Sequence, residues 1–106
     1  MGPYRKILCI TGTRADYPMV KSVLKEINRR QSFQLDIVVT GSHLVQEYGY
    51  SVNEIIDDGF CISKEVPMFD GDYNSPYGMV KAVAKCTSGI ADALQELKPD
   101  LVLLTV

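Results

Sequence analysis

The sequence predicts an α/β fold built on a parallel sheet, and three observations carry the prediction. Apolar, largely β-branched runs occur at Ile7 to Thr11, Leu35 to Thr40 and Leu101 to Val106. Amphipathic stretches of helical period separate them, and each of the first two runs ends on a glycine, Gly12 and Gly41. Strands that read as apolar runs without polar alternation are those covered on both faces, as parallel strands are.

In chain order, Ile7 to Thr11 is the first strand. Met19, Val20, Val23, Leu24 and Ile27 then recur at helical spacing, with Lys21, Lys25, Arg29 and Arg30 on the other face or in the last turn. Asp16 is placed to cap this helix, and Pro18 falls in its first turn, where a missing N–H costs nothing. Leu35 to Thr40 is the second strand. Ser51 with Glu54 three residues on has the form of a capping box, which opens a short helix through Val52, Ile55 and Ile56 that Asp58-Gly59 stops. Asp57 and Asp58 read as turn residues. Phe60 to Val66 is a third strand, and 67–76 is a loop dense in Asp, Gly, Tyr and Asn. From Ser75-Pro76 a long helix runs to Lys98-Pro99, with its apolar stripe at Met79, Val80, Val83, Cys86, Ile90, Ala91, Leu94 and Leu97. Gly89 weakens that helix mildly. Leu101 to Val106 is the fourth strand.

Right-handed crossovers then give a Rossmann-like doubly wound sheet in the order third, second, first, fourth. The fourth strand lies at the growing edge, yet it has the apolar composition of a central strand. The chain is therefore expected to be a piece of a larger protein or to be completed by a partner.

Composition narrows the function. The chain has 106 residues, 46% apolar and 23% charged, which makes one core and leaves no room for a second domain. Eleven basic against thirteen acidic residues produce no field that would gather nucleic acid or an anionic membrane, so a phosphate must be held by local groups. No apolar run approaches the roughly 20 residues of a spanning helix, and the start is unlike a signal peptide. A cytoplasmic protein is expected. Cys9, Cys61 and Cys86 are an odd number without ligand spacing and read as reduced core residues, so no metal is expected.

Ligands of open parallel sheets bind beyond the carboxyl ends of the strands, where strand order reverses. Here that crevice lies between the first and fourth strands and receives Gly12, Thr13, Arg14 and Ala15. A glycine allows close backbone approach, a helix start offers free N–H groups, and Arg14 supplies a fork of donors matched to phosphate oxygens. Gly12 lacks the further glycines of a dinucleotide fingerprint, and no Gly-Lys-Ser/Thr follows, so neither NAD nor ATP is expected as a cofactor. His43, the single histidine, stands just past the second strand beside Ser42, suited either to proton transfer near a substrate or to a plain capping role. Tyr73, Ser75 or Tyr77 of the 69–78 loop could reach the crevice, or the loop could be a simple connection. Asp70 and Asp72 begin like a calcium loop, but no glutamate stands at the twelfth position.

Four motifs in order, Gly12-Thr13-Arg14-Ala15-Asp16-Tyr17, Thr40-Gly41-Ser42-His43-Leu44 with Glu47-Tyr48-Gly49-Tyr50, Asp57-Asp58-Gly59-Phe60, and Leu97-Lys98-Pro99-Asp100, resemble the hydrolysing UDP-N-acetylglucosamine 2-epimerases, bacterial or the epimerase half of the animal enzyme of sialic acid synthesis. Ala15-Asp16-Tyr17 and Ser42-His43-Leu44 resemble this branch over the non-hydrolysing one. The resemblance implies a glycosyltransferase-B-type pair of Rossmann-like domains, of which residues 1–106 are the first half of the N-terminal one. It implies UDP elimination from UDP-N-acetylglucosamine or a related UDP-sugar, then hydration to N-acetylmannosamine. Arg14 matches the arginine at the diphosphate, with Gly12, Thr13, Ala15 and Ser42 also expected at the substrate, and His43 matches a histidine beside the sugar and is the expected catalytic residue. A homo-oligomer is expected of the whole protein. The family continues Gly-Asp-Arg after its fourth strand where this chain has Thr105-Val106, so the chain is expected to be an N-terminal fragment, inactive alone and without the family's catalytic carboxylates. Two rival readings share the architecture: a non-catalytic nucleotide-sugar-binding module and a retaining glycosyltransferase.

Overall fold

The computed structural model describes residues 5–12, 17–41, 51–69 and 74–104. Strands β1 (Arg5–Thr11), β2 (Phe33–Thr40), β3 (Ile62–Val66) and β4 (Leu101–Leu104) alternate with helices α1 (Tyr17–Arg29), α2 (Val52–Asp57) and α3 (Pro76–Leu97). The sheet runs β3-β2-β1-β4 with every pairing parallel, the order expected from the sequence.

The period-2 alternation of strand side chains divides the core between two faces. Cys9, Ile37 and Val39 pack against Tyr17, Val20 and Leu24 of α1 and Val52 and Ile55 of α2. Leu8 and Val38 face the other way, onto Ala93 of α3. The helices change face between α2 and α3 as the strand order reverses, which places the switch point between β1 and β4. Cys9 is a fully buried thiol pushed up to about 11 by desolvation, as a core cysteine should be.

Local chemistry explains the element ends. Ser75 holds extended geometry, and its hydroxyl accepts the Gly78 N–H at 3.0 Å, with Pro76 opening α3. Lys98 ends that helix in the left-handed region, and Asp100 then ties β4 to the start of β1: its carboxylate accepts the Lys6 N–H and its own N–H donates to the Lys6 carbonyl, both at 2.8 Å. Leu97-Lys98-Pro99-Asp100 is thus a clamp at the pole opposite the switch-point crevice.

Several expectations are corrected. Ser51 lies in the α region and makes no side-chain cap, so the capping box does not form. Strand β3 starts at Ile62, because the Phe60 N–H still bonds to Ile55 at the exit of α2 and its ring enters the core; Cys61 is left exposed and Cys86 half-buried. In β3, Ser63 bulges out of register and donates to buried Asp36 at 2.8 Å. The largest correction concerns α3. It buries Gly78, Ala82 and Ala93, while Met79, Val80, Val83 and Leu94 of the expected stripe are exposed. Small side chains face the sheet because the helix lies so close to β3 that a Cβ on Gly89 would stand 2.4 Å from Val66 Cγ1.

Candidate functional site

Thr11, Thr40 and Val66 close the carboxyl pole of the sheet. Thr11 lies across from Val39, so the chain leaves β1 beside its exit from β2. Thr40 is buried, and its hydroxyl donates to the Val66 carbonyl, tying in the end of β3. Gly41 then turns the chain at φ +63°, and a Cβ there would stand 2.3 Å from the Gly12 carbonyl oxygen. Only glycine fits so close a backbone crossing. The segments bearing Arg14 and His43 therefore depart from two glycines in backbone contact. Gly12 is the one candidate among the described residues; Thr13, Arg14, Ala15, Ser42 and His43 lie outside them, as do Asp16 and Tyr73.

Two members of the 69–78 loop are placed. Ser75 spends its hydroxyl on the α3 cap, and Tyr77 is a largely exposed ring with Lys81 Nζ 5.9 Å from its centroid. Among the described residues, no three His, Cys, Asp or Glu side chains gather as a metal site, and no helix is long and apolar enough to cross a membrane.

One cluster escaped the sequence reading. Asp58, read as a turn residue, accepts the Tyr17 hydroxyl at 2.6 Å and pairs with Lys21 Nζ at 3.0 Å. These groups line an open pocket of about 300 Å³ with Pro18, Glu54 and Asp57. Burial and then Asp58 push the Tyr17 phenol well above its ordinary range, so it stays protonated as a donor. The hydrogen bond from Tyr17, then Lys21, holds the Asp58 carboxyl below the usual carboxylate range. The only signal in the sequence was the chance of Tyr17 and Lys21 sharing a helix face at i and i+4.

Comparisons with known proteins agree with this architecture. Residues 25–105 match the family model described as UDP-N-acetylglucosamine 2-epimerase. The chain is 39% identical over 102 residues to the UDP-N,N'-diacetylbacillosamine 2-epimerase (hydrolyzing) of Legionella pneumophila, covering 94% of this chain and 26% of that one. It is 30% identical over 101 residues to the UDP-N-acetylglucosamine 2-epimerase of Neisseria meningitidis, with the same shares. The crystal structure of UDP-GlcNAc 2-epimerase from Neisseria meningitidis bound to UDP-GlcNAc superposes with a TM-score of 0.71 at 20% identity, over 93% of this chain and 25% of that one, a likeness of fold. The chain spans about a quarter of the length of the curated relatives it matches. On its sequence match and its strand order together, the chain belongs to the UDP-N-acetylglucosamine 2-epimerase family.

Proposed function

We propose that this chain is the first half of the N-terminal domain of a two-domain, cytoplasmic hydrolysing 2-epimerase that converts UDP-N-acetylglucosamine to N-acetylmannosamine and UDP, as in sialic acid synthesis. The observation that carries the reading is the contact of Gly12 with Gly41 at the carboxyl pole of the sheet, the two glycines that directly precede residues 13–16 and 42–50 in sequence. In the first step a base removes the C2 proton, the electron pair forms the C1–C2 double bond, and the C1–O bond breaks with UDP as leaving group. Water then adds across that double bond. Arg14 is assigned to the diphosphate, where its charge-assisted hydrogen bonds stabilise the departing oxygens. His43 is assigned to the sugar, where a group titrating near neutrality can move a proton. The remaining carboxylates and the second domain would come from the rest of the protein, for which the open apolar edge at β4 is a natural junction.

A second reading differs only in the sugar. The greater identity to the Legionella relative, 39% against 30%, favours a diacetamido UDP-sugar. Assay of the whole protein with both substrates, scoring UDP and the free 2-epimeric sugar, decides between them. Binding of UDP-sugars without release of UDP would reject the enzyme reading in favour of a binding module.

A further inference from the structure

Two of the family-like motifs lock onto each other. Tyr17 follows directly on residues 13–16, is 2% exposed, and donates its hydroxyl to Asp58 Oδ2. The same oxygen pairs with Lys21, one helical turn further along α1. Phe60 sets its ring edge-on to Tyr17, with centroids 6.4 Å apart at 87°. A single carboxylate at the end of α2 thus pins the first turn of α1, which follows directly on residues 13–16 in sequence. A phenylalanine would fill the same space, so burial alone does not call for the hydroxyl. What the phenol-carboxylate bond adds is direction.

We propose that Tyr17 and Asp58 are positioning residues for the diphosphate-binding turn: their hydrogen bond holds the first turn of α1, and through it Arg14, where the guanidinium meets the phosphates. This rests on the assignment of Arg14 to the diphosphate. Small displacements of a positioned charge are costly, because charge-assisted hydrogen bonds depend on both distance and angle. Lys21 keeps the carboxylate ionised and aimed, and the Tyr17–Phe60 contact keeps the phenol from swinging away.

Calorimetric titration of the whole protein with UDP tests this, using Arg14→Ala, Tyr17→Phe, Tyr17→Phe in the Arg14→Ala background, Asp58→Ala and Asp58→Asn. Tyr17→Phe should weaken UDP binding by about three- to thirtyfold while the melting temperature moves by no more than about 5 °C. In the Arg14→Ala background the same change should cost less than about twofold, because the group it positions is gone. Asp58→Asn, which still accepts the phenol proton, should recover part of the loss seen in Asp58→Ala. If Tyr17→Phe does not fold, the two Asp58 variants carry the test. Parental UDP affinity in Tyr17→Phe, or an equal loss with and without Arg14, overturns the positioning role while leaving the Arg14 assignment standing. Parental affinity in Arg14→Ala overturns the assignment itself, and the positioning role with it.

Discussion

Gly41 shows how one residue ties fold to site. Its φ of +63° lies in the left-handed region, and a side chain there would press into the Gly12 carbonyl, a backbone atom that cannot turn aside. Gly41→Ala should cost about 2 kcal/mol or more in urea denaturation, from backbone strain together with the clash. On the proposed role of Arg14 it should also weaken UDP binding, since Gly12 stands two residues before it in sequence. On the proposed diphosphate role, Arg14→Ala would remove charge-assisted bonds worth about 1.5 to 3 kcal/mol and should lower kcat/KM of the whole protein roughly 10- to 150-fold in steady-state assays. His43→Ala should reduce kcat more than UDP affinity. Asp58 predicts a pH effect of definite sign. Its folded-state pKa lies below the unfolded value, so the folded chain binds fewer protons. The stabilisation is therefore whole above about pH 4 and is lost as pH falls through the depressed value. Asp58→Asn should flatten the fall of the urea midpoint below about pH 4; an unchanged slope would show that the Tyr17 and Lys21 contacts do not act through the charge.

At the scale of elements, α3 is the instructive helix. Its apolar residues recur at helical period, which established a helix but not which side met the sheet, because apolar and small residues ring much of its circumference. Packing settled the matter through Gly89, where only a hydrogen fits beneath Val66. Gly89→Ala should gain about 1 kcal/mol of helix propensity and lose about 1 to 3 kcal/mol to overpacking against a buried, β-branched valine. A net destabilisation is expected in thermal melts, whereas the same change at an exposed helical glycine would stabilise. The start of α3 was legible because Ser75-Pro76 has one good physical use, as N-cap followed by first helical residue. The start of α2 was not, since Ser51 and Glu54 match the capping box in spacing while the backbone at Ser51 is already helical.

At the scale of the molecule, β4 and α3 among the described residues each leave apolar surface open. Leu101 and Leu104 of β4 are each 59% exposed, and Met79, Val80 and Val83 near the start of α3 and Leu94 near its end are exposed as well. Patches of this kind mark surfaces that are covered in a complete assembly. The 106-residue chain by itself should accordingly bind a hydrophobic dye or self-associate in sedimentation, and should not turn over UDP-N-acetylglucosamine. Turnover by this chain alone would refute the reading of it as half a domain.

Strand order and crossover count followed from the sequence, because apolar runs, glycine exits and right-handed connections admit few other arrangements of Ile7 to Thr11, Leu35 to Thr40 and Leu101 to Leu104. The same local logic placed Gly12 and Gly41 at the carboxyl ends of their strands. What the sequence could not decide is which distant groups meet. Asp58 reads as a turn residue and Tyr17 as a member of a motif until the fold brings them to 2.6 Å across 41 residues of chain. Nor does periodicity reveal that α3 turns its smallest side chains inward, since it reports how apolar a face is and not how near its neighbour lies. Contact distance belongs to tertiary packing, and it is packing that turned a glycine into a helix–sheet contact and an aspartate into an anchor.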